Sequence, residues 1–378
     1  MIPSQKSESV VREIGELRDA IADIMNSGNP LTFMEVCGTH TMEIHRNGIP
    51  SLLPRSVNLL SGPGCPVCVT PVGYVDHAIE LARLDRVILA TFGDLIRVPG
   101  SYASLEQERA EGASVEVVYS PLEALQLARN NPEKEIVFLG VGFETTAPVT
   151  AASLAQAEKD NIKNYSILSA HKIIPPAMKA LAGVEGLNVD GFCCPGHVSA
   201  IIGSKPYEFL AREHKIPCVV AGFEPLDIMQ SILMLILMCR RNEANVEIQY
   251  SRVVRREGNA RAREVMSMVY TAEDSEWRGL GSIPGSGLGV SDDYADWDAK
   301  RKFKVETPEP REPEGCICGA ILCGIKTPPD CPLFGETCNP GRPVGACMVS
   351  SEGTCAAHFK YRNVAVSGDR LSNKKPAM

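Results

Sequence analysis

No stretch of this sequence is apolar for long enough to cross a membrane. The longest run, Ile232 to Cys239, falls well short of the roughly 20 residues a spanning helix needs. The polar, charged residues from Met1 to Asp19 lack the apolar core of a secretory signal. Basic residues are in deficit: 38 Lys and Arg against 46 Asp and Glu give a net charge of −8, and no basic stripe interleaves with aromatics. Neither nucleic acid nor an anionic membrane is therefore an expected partner. No Gly-x-x-x-x-Gly-Lys-Ser/Thr loop occurs, which argues against ATP hydrolysis. Together these absences point to a cytoplasmic protein. In that compartment its 14 cysteines read as metal ligands or redox thiols rather than structural disulfides.

The 378 residues are 44% hydrophobic and 22% charged, a globular composition with material for two or three domains. Val11, Ile14, Leu17, Ile21, Ile24 and Met25 follow the spacing of an amphipathic helix over 8–26, which Ser27-Gly28-Asn29-Pro30 ends. Beyond it, short β-rich runs alternate with helical stretches, the pattern of parallel βα units. Strands are expected over 31–36, 57–60, 86–90, 115–119, 135–139, 165–168, 189–193 and 217–221, with helices over 72–83, 122–130, 148–159, 176–182 and 226–240. Gly-Phe-Glu occurs at 142–144 and 222–224, and Phe92-Gly93-Asp94 stands where a third copy would fit, which points to two similar halves.

The expected class is α/β: two Rossmann-like parallel-sheet domains facing across a cleft, plus a small cysteine-rich iron–sulfur domain. The turn Asn130-Asn131-Pro132 marks the divide between the halves. The units are then an N-terminal helix (1–30), a first α/β domain (31–131), a second (132–245) and the C-terminal domain (246–378). The last includes a strand at 246–254, a helix at 260–270, a glycine-rich stretch at 279–289 and a stiff linker from Thr307 to Glu314 carrying Pro308, Pro310 and Pro313.

Polar motifs fall where strands end, the edge at which open α/β sheets bind ligands. Ser61-Gly62-Pro63-Gly64-Cys65-Pro66-Val67-Cys68 holds a Cys-x-x-Cys, a spacing that serves a dithiol couple or half of a metal site. A helix starting near Thr70-Pro71 would favour a thiolate through its dipole, and the glycines let backbone approach a ligand. Cys37-Gly38-Thr39-His40 follows the first strand. A thiolate with an imidazole three residues on is an activated nucleophile or a two-point metal ligand. Cys37, Cys65 and Cys68 are thus expected in one cleft. Asp94, Glu144, Glu224, His171, Lys172 and His197 are expected at the same edges, where each could equally cap a helix or face solvent.

Seven cysteines lie between Cys316 and Cys355, in a Pro- and Gly-rich tail with little apolar material of its own. Thiolates around an iron–sulfur cluster need a flexible backbone, exclusion of water and hydrogen-bond donors toward sulfur. The alternative, a four-cysteine zinc site, usually shows two close pairs. The wide, irregular spacing of Cys331, Cys338, Cys347 and Cys355 favours a [4Fe-4S] cluster, although neither the ferredoxin run nor the loop of radical enzymes is present.

Three stretches together resemble the HypD family of [NiFe]-hydrogenase maturation proteins. They are Phe33-Met34-Glu35-Val36-Cys37-Gly38-Thr39-His40-Thr41, the Gly62 to Cys68 loop, and Cys331-Pro332-Leu333-Phe334-Gly335 through Gly345 to Cys355. The likeness runs from about residue 31 to 361. It implies a redox-active scaffold that, with the chaperone HypC, holds iron at Cys37 and assembles the Fe(CN)2CO unit of the hydrogenase active site. It further implies that HypE, charged by HypF, delivers cyanide as a thiocyanate, and that HypC links the scaffold to the hydrogenase large subunit. Cys65 and Cys68 would drive reductive cyanide transfer, with His40 and Asp94 orienting ligands or moving protons. Cys316, Cys331, Cys338 and Cys355 are the expected cluster ligands and Cys318 with Cys347 a relay pair, as in the ferredoxin:thioredoxin reductase site that the arrangement resembles. Cys323, Cys193 and Cys194 fall outside this pattern. A stand-alone iron–sulfur thiol–disulfide reductase would use the same cysteines without iron at Cys37, and a zinc-stabilised adaptor would do no redox chemistry.

Overall fold

A computed structural model describes residues 5–369 apart from residue 185, so parts of the first and last expected units, 1–4 and 370–378, lie outside the described residues. The short apolar runs form strands because sheets covered by helices on both faces bury most side chains of their central strands. In chain order they are β1 (Leu31–Glu35), β2 (Val57–Ser61), β3 (Val87–Thr91), β4 (Val115–Val117) and β5 (Glu135–Gly140). β6 (Tyr165–Ser169), β7 (Gly191–Pro195), β8 (Cys218–Ala221) and β9 (Val246–Ile248) follow. They pair into two parallel sheets, β2-β1-β7-β8-β9 and β4-β3-β5-β6, the Rossmann-like architecture expected. The N-terminal helix, Gln5–Met25, packs Ile21 and Met25 with Ile232 and Leu235 of the helix Pro225–Arg240 behind the first sheet. Among the described residues no helix is long and apolar enough to cross a membrane.

The chain is divided between the sheets differently from the expectation. The turn at 130–132 falls inside one sheet, because β3 pairs with both β4 and β5 on either side of it. It is an ordinary βα return: the helix Pro121–Asn130 packs Ala124, Leu125 and Ala128 against Ile136 and Phe138 of the next strand. The second sheet is one continuous insertion between β2 and β7 of the first.

Residues 246–290 likewise do not belong with the cysteine-rich tail. β9 completes the first sheet and stops at Ile248, short of the expected residue 254, because the following side chains turn back on Asp227. Gln249 Nε2 and Arg252 Nη1 each donate to Asp227 Oδ1 at 2.8 Å. The glycine-rich stretch is a strand. β10 (Tyr270–Trp277) and β11 (Gly281–Val290) form an antiparallel hairpin, in which a Cβ on Gly289 would come within 2.2 Å of the Glu273 carboxylate across the ladder. This hairpin lies on the rim of the second sheet, where Ser169 Oγ donates to the Leu288 carbonyl at 2.7 Å and Leu288 N to that of His171 at 3.0 Å.

These pieces meet in one apolar cluster. Met34 and Val36 come from the end of β1, Cys65, Cys68 and Val69 from the loop after β2, Phe143 from the loop after β5, Trp277 from β10, and Cys318, Cys347 and Cys355 from the tail. Trp277 is buried, stacks on Phe143 at 5.9 Å and donates its indole N–H to Ser286 Oγ at 2.7 Å. Trp277→Ala therefore removes a keystone shared by both sheets and the tail, and is expected to cost about 3–5 kcal/mol in urea denaturation. A loss under about 1 kcal/mol would show that the seam closes without it.

Candidate functional site

Cys37 is the N-cap of the helix Gly38–Arg46, which starts directly beyond β1. Burial pushes its thiol up to about 12; the backbone amide of His40 opposes this, while the Glu35 and Glu352 carboxyls reinforce it. Glu35 Oε2 accepts the Cys37 N–H at 2.9 Å and Oε1 accepts the Thr41 hydroxyl. Burial raises the Glu35 carboxyl to about 7. Glu352 reaches in from the tail, Oε1 accepting from Thr39 Oγ1 at 2.7 Å, and Gly38 is required because a Cβ there would come within 2.7 Å of the Glu352 Cβ. Neither acid is among the site residues expected from the sequence. An acidic residue inside a buried apolar strand was the available signal for Glu35; Glu352, 313 positions from Thr39, offered none. Cys193 pairs in register with Glu35 and is buried on β7.

His40 acts differently from the expected imidazole partner of Cys37. Its Nε2 lies 2.9 Å from the Gly222 carbonyl, so that nitrogen carries the proton, and its ring stacks on Phe223 at 4.7 Å. Nδ1 is buried without a partner. Burial lowers its pKa to about 4, so the ring is neutral, and it is the main-chain amide that faces the Cys37 sulfur.

The Gly62–Cys68 loop lies directly against Cys37. Gly62 N donates to the Glu35 carbonyl at 2.7 Å and Gly38 N to the Gly64 carbonyl at 2.8 Å, while a Cβ on Gly64 would sit 2.0 Å from the Cys37 nitrogen. Cys65 caps an extra helical turn, Pro66–Val69, ahead of the helix Val72–Ala82 that was expected to begin near Thr70-Pro71. Pro66 explains the earlier start, since its fixed φ suits the first helical position. Cys65 Sγ accepts the Cys68 N–H at 3.4 Å. Cys68 is fully buried, and burial first, then contact with Cys65, hold its thiol well above the ordinary range, with contact to Cys347 acting the other way.

From Cys68 the contacts continue into the tail. The Cys347 thiol touches those of Cys318, Cys355 and Cys68, and is raised chiefly by Cys318. Cys316 is raised by its contact with Cys318 and by burial. Cys316, Cys318, Cys331, Cys338 and Cys355 line one cavity, walled by Ile321, Leu333, Phe334 and Met348; Cys347 lies outside that lining. The Val344 N–H points at Cys338 Sγ at 3.3 Å, joined by that of Gly345. Among the described residues no three His, Cys, Asp or Glu side chains are set to hold a single metal ion. A polynuclear cluster fits this donor set: several sulfurs around one apolar hollow, with amide N–H groups aimed at sulfur.

The other ionisable residues divide. Asp94 is exposed on the 3-10 turn Gly93–Arg97 after β3, on the second sheet rather than the rim that carries Cys37, and pairs with none of these cysteines. Glu224 caps the helix Pro225–Arg240. Lys172 donates to Ser275 Oγ at 2.9 Å and to the Glu276 carbonyl, and His171 is buried beside Tyr270. His197 stacks on Phe223 at 3.9 Å. Cys323 donates to the Gly279 carbonyl at 3.6 Å, away from the cavity lining.

Two α/β sheets, a buried Cys-x-x-Cys at one rim and a cysteine-lined cavity behind it define a thiol-rich α/β protein. The chain belongs to the HypD family: the family profile described as "Hydrogenase formation hypA family" matches residues 12–362. It is 48% identical over 353 residues to the hydrogenase expression/formation protein HupD of Azotobacter chroococcum, covering 92% of this chain and 93% of that protein. Identity to the hydrogenase maturation factor HypD of Azotobacter vinelandii is 48% over 335 residues, 87% and 88% of the two chains. For that of Escherichia coli it is 44% over 357 residues, 94% and 96%.

Glu144 supplies a titration test of the seam. Its Oε1 accepts the Ile174 N–H at 3.1 Å, Oε2 is buried without a partner, and burial raises its pKa to about 7. A folded-state pKa above the unfolded value stabilises below the unfolded pKa, and that contribution is lost as pH rises through the folded one. Glu144→Gln, the shape of the protonated acid, escapes the loss. Its stability relative to the parent should rise by about 2–3 kcal/mol between about pH 5 and about pH 8 in urea denaturation. A difference independent of pH refutes the assignment.

Proposed function

We propose that this protein is a redox-active scaffold of hydrogenase maturation. With a HypC-type chaperone it holds iron at Cys37 and accepts cyanide from HypE, itself charged by HypF, to assemble Fe(CN)2CO for the hydrogenase large subunit in the cytoplasm. The observation that carries this reading is the unbroken run of thiol contacts from Cys65 and Cys68 through Cys347 to the cavity cysteines, beginning at a loop packed on Cys37.

Each residue then has a task. Cys37, a protonated thiol while alone, becomes a ligand when a cation displaces its proton; the His40 amide faces the sulfur and the His40 ring anchors the turn to Gly222. Reductive cyanide transfer needs two electrons and one proton, and the Cys65–Cys68 dithiol holds two of each. The S–CN bond of the thiocyanate breaks, its sulfur takes one proton, cyanide goes to iron, and a Cys65–Cys68 disulfide and one released proton remain. Cys316, Cys331, Cys338 and Cys355 would hold a resident [4Fe-4S] cluster, with Cys318 and Cys347 a relay pair of which Cys347 touches Cys68. Such a cluster, when bound, supplies single electrons. Ile321, Leu333, Phe334 and Met348 keep water from those sulfurs.

Anaerobic co-purification with HypC followed by infrared spectroscopy tests the scaffold. The parent complex is expected to show CN and CO stretching bands, and Cys37→Ala to lose both bands and the iron held outside the cluster while keeping the cluster absorbance. Bands that survive Cys37→Ala sink the proposal, and a cluster with no bands in the parent favours the stand-alone reductase. The ligand partition is tested the same way: Cys347→Ser keeps the cluster chromophore and Cys338→Ser loses it.

A further inference from the structure

Arg278 follows Trp277 at the end of β10. Its side chain is 2% exposed, and Nε, Nη1 and Nη2 are all buried without a hydrogen-bond partner. A guanidinium does not deprotonate in a protein, so a full positive charge is held here. Such burial costs several kcal/mol unless negative charge compensates it. Glu312 of the proline-rich linker lies near, its Oε1 3.5 Å from Nε, but that carboxylate is 57% exposed and its attraction is correspondingly screened. The structural contact of Arg278 needs no cation, since it is the main-chain N that donates to the Val69 carbonyl at 2.9 Å, at the end of the Cys65–Cys68 turn.

The main chain on either side of Arg278 runs against the turn and the tail that carry the cysteines. The next residue, Gly279, packs so closely on Gly319, beside Cys318, that a Cβ on it would sit 2.2 Å from the Gly319 Cα. On the other side Cys316 N donates to the Pro313 carbonyl at 3.2 Å, a turn that brings Glu312 alongside Cys316, whose thiol its charge helps to raise. Arg278 therefore occupies the seam between the Cys-x-x-Cys turn and the cysteine-lined cavity, where four thiolates and a cluster bring net negative charge.

We propose that Arg278 is the counter-charge of the cysteine-lined cavity, a positioning residue that with Glu312 sets the reduction potential of the cluster bound there. The inference rests on the cluster assignment made above. One-electron reduction adds a unit of negative charge, so a nearby cation favours the reduced form and a nearby anion disfavours it. The test is potentiometric titration of the full chain, reconstituted anaerobically with iron and sulfide, with dithionite as reductant and electron paramagnetic resonance as readout. R278Q is expected to shift the potential to more negative values, E312Q to more positive values, and R278K to stay close to the parent. Glu312 is exposed, so E312Q decides the matter even where R278Q fails to fold. Potentials that match the parent in the single variants, with the cluster intact, overturn the inference. A parent chain that takes up no cluster overturns the cavity assignment instead.

Discussion

The backbone of Gly64 stands where any side chain would collide with the amide of Cys37, and the site depends on that approach. Two hydrogen bonds, Gly62 to Glu35 and Gly38 to Gly64, clamp the loop after β2 to the turn after β1. Adjacent parallel strands already end at the same level; the clamp turns that proximity into a fixed relation between Cys37 and the Cys-x-x-Cys. Loop closure of this kind is costly in entropy unless the closed form is tightly bonded, and here the bonds are main-chain bonds that a side-chain substitution elsewhere does not remove.

The interleaved connectivity extends the same logic. The second sheet is inserted between β2 and β7, so the helix that follows the Cys-x-x-Cys is also the entry to that sheet. Phe143, from the loop after β5, and Trp277, from the hairpin over β6, then meet the cysteines of the first rim in one cluster. The tail has too little apolar material to fold alone. It packs against this seam through Glu352 at Thr39 and Cys347 at Cys68.

Strand positions and the cysteine rim were legible in the sequence because both are local: a buried parallel strand is a continuous apolar run, and its polar end announces the rim. Sheet membership was not. Asn130-Asn131-Pro132 reads as a boundary, yet a turn is the same object whether the next strand joins the same sheet or another. β11 was hidden because its glycines serve the neighbouring strand's side chains rather than its own propensity. Arg278 and Glu352 gain their meaning from contacts with residues distant in the chain, and no spacing encodes those. His40 was found for the wrong atom: its ring serves Gly222, and its amide serves Cys37.

The electrostatics of the rim follow from its dryness. Cys37 is pushed to about 12, Glu35 to about 7 and His40 to about 4, all chiefly by burial, and each shift favours the neutral form. Below about pH 7 these three groups carry little charge of their own and offer a random ion little attraction. A divalent cation that does arrive reverses the balance, because it releases the proton of the thiol and makes the carboxyls beside it favourable as anions. Thiolate, carboxylate and metal then stabilise one another in a medium where water screens little. Burial and binding are thus the same device: the desolvation that favours the neutral forms here is what would strengthen a thiolate–metal pair at Cys37, as the proposed function requires.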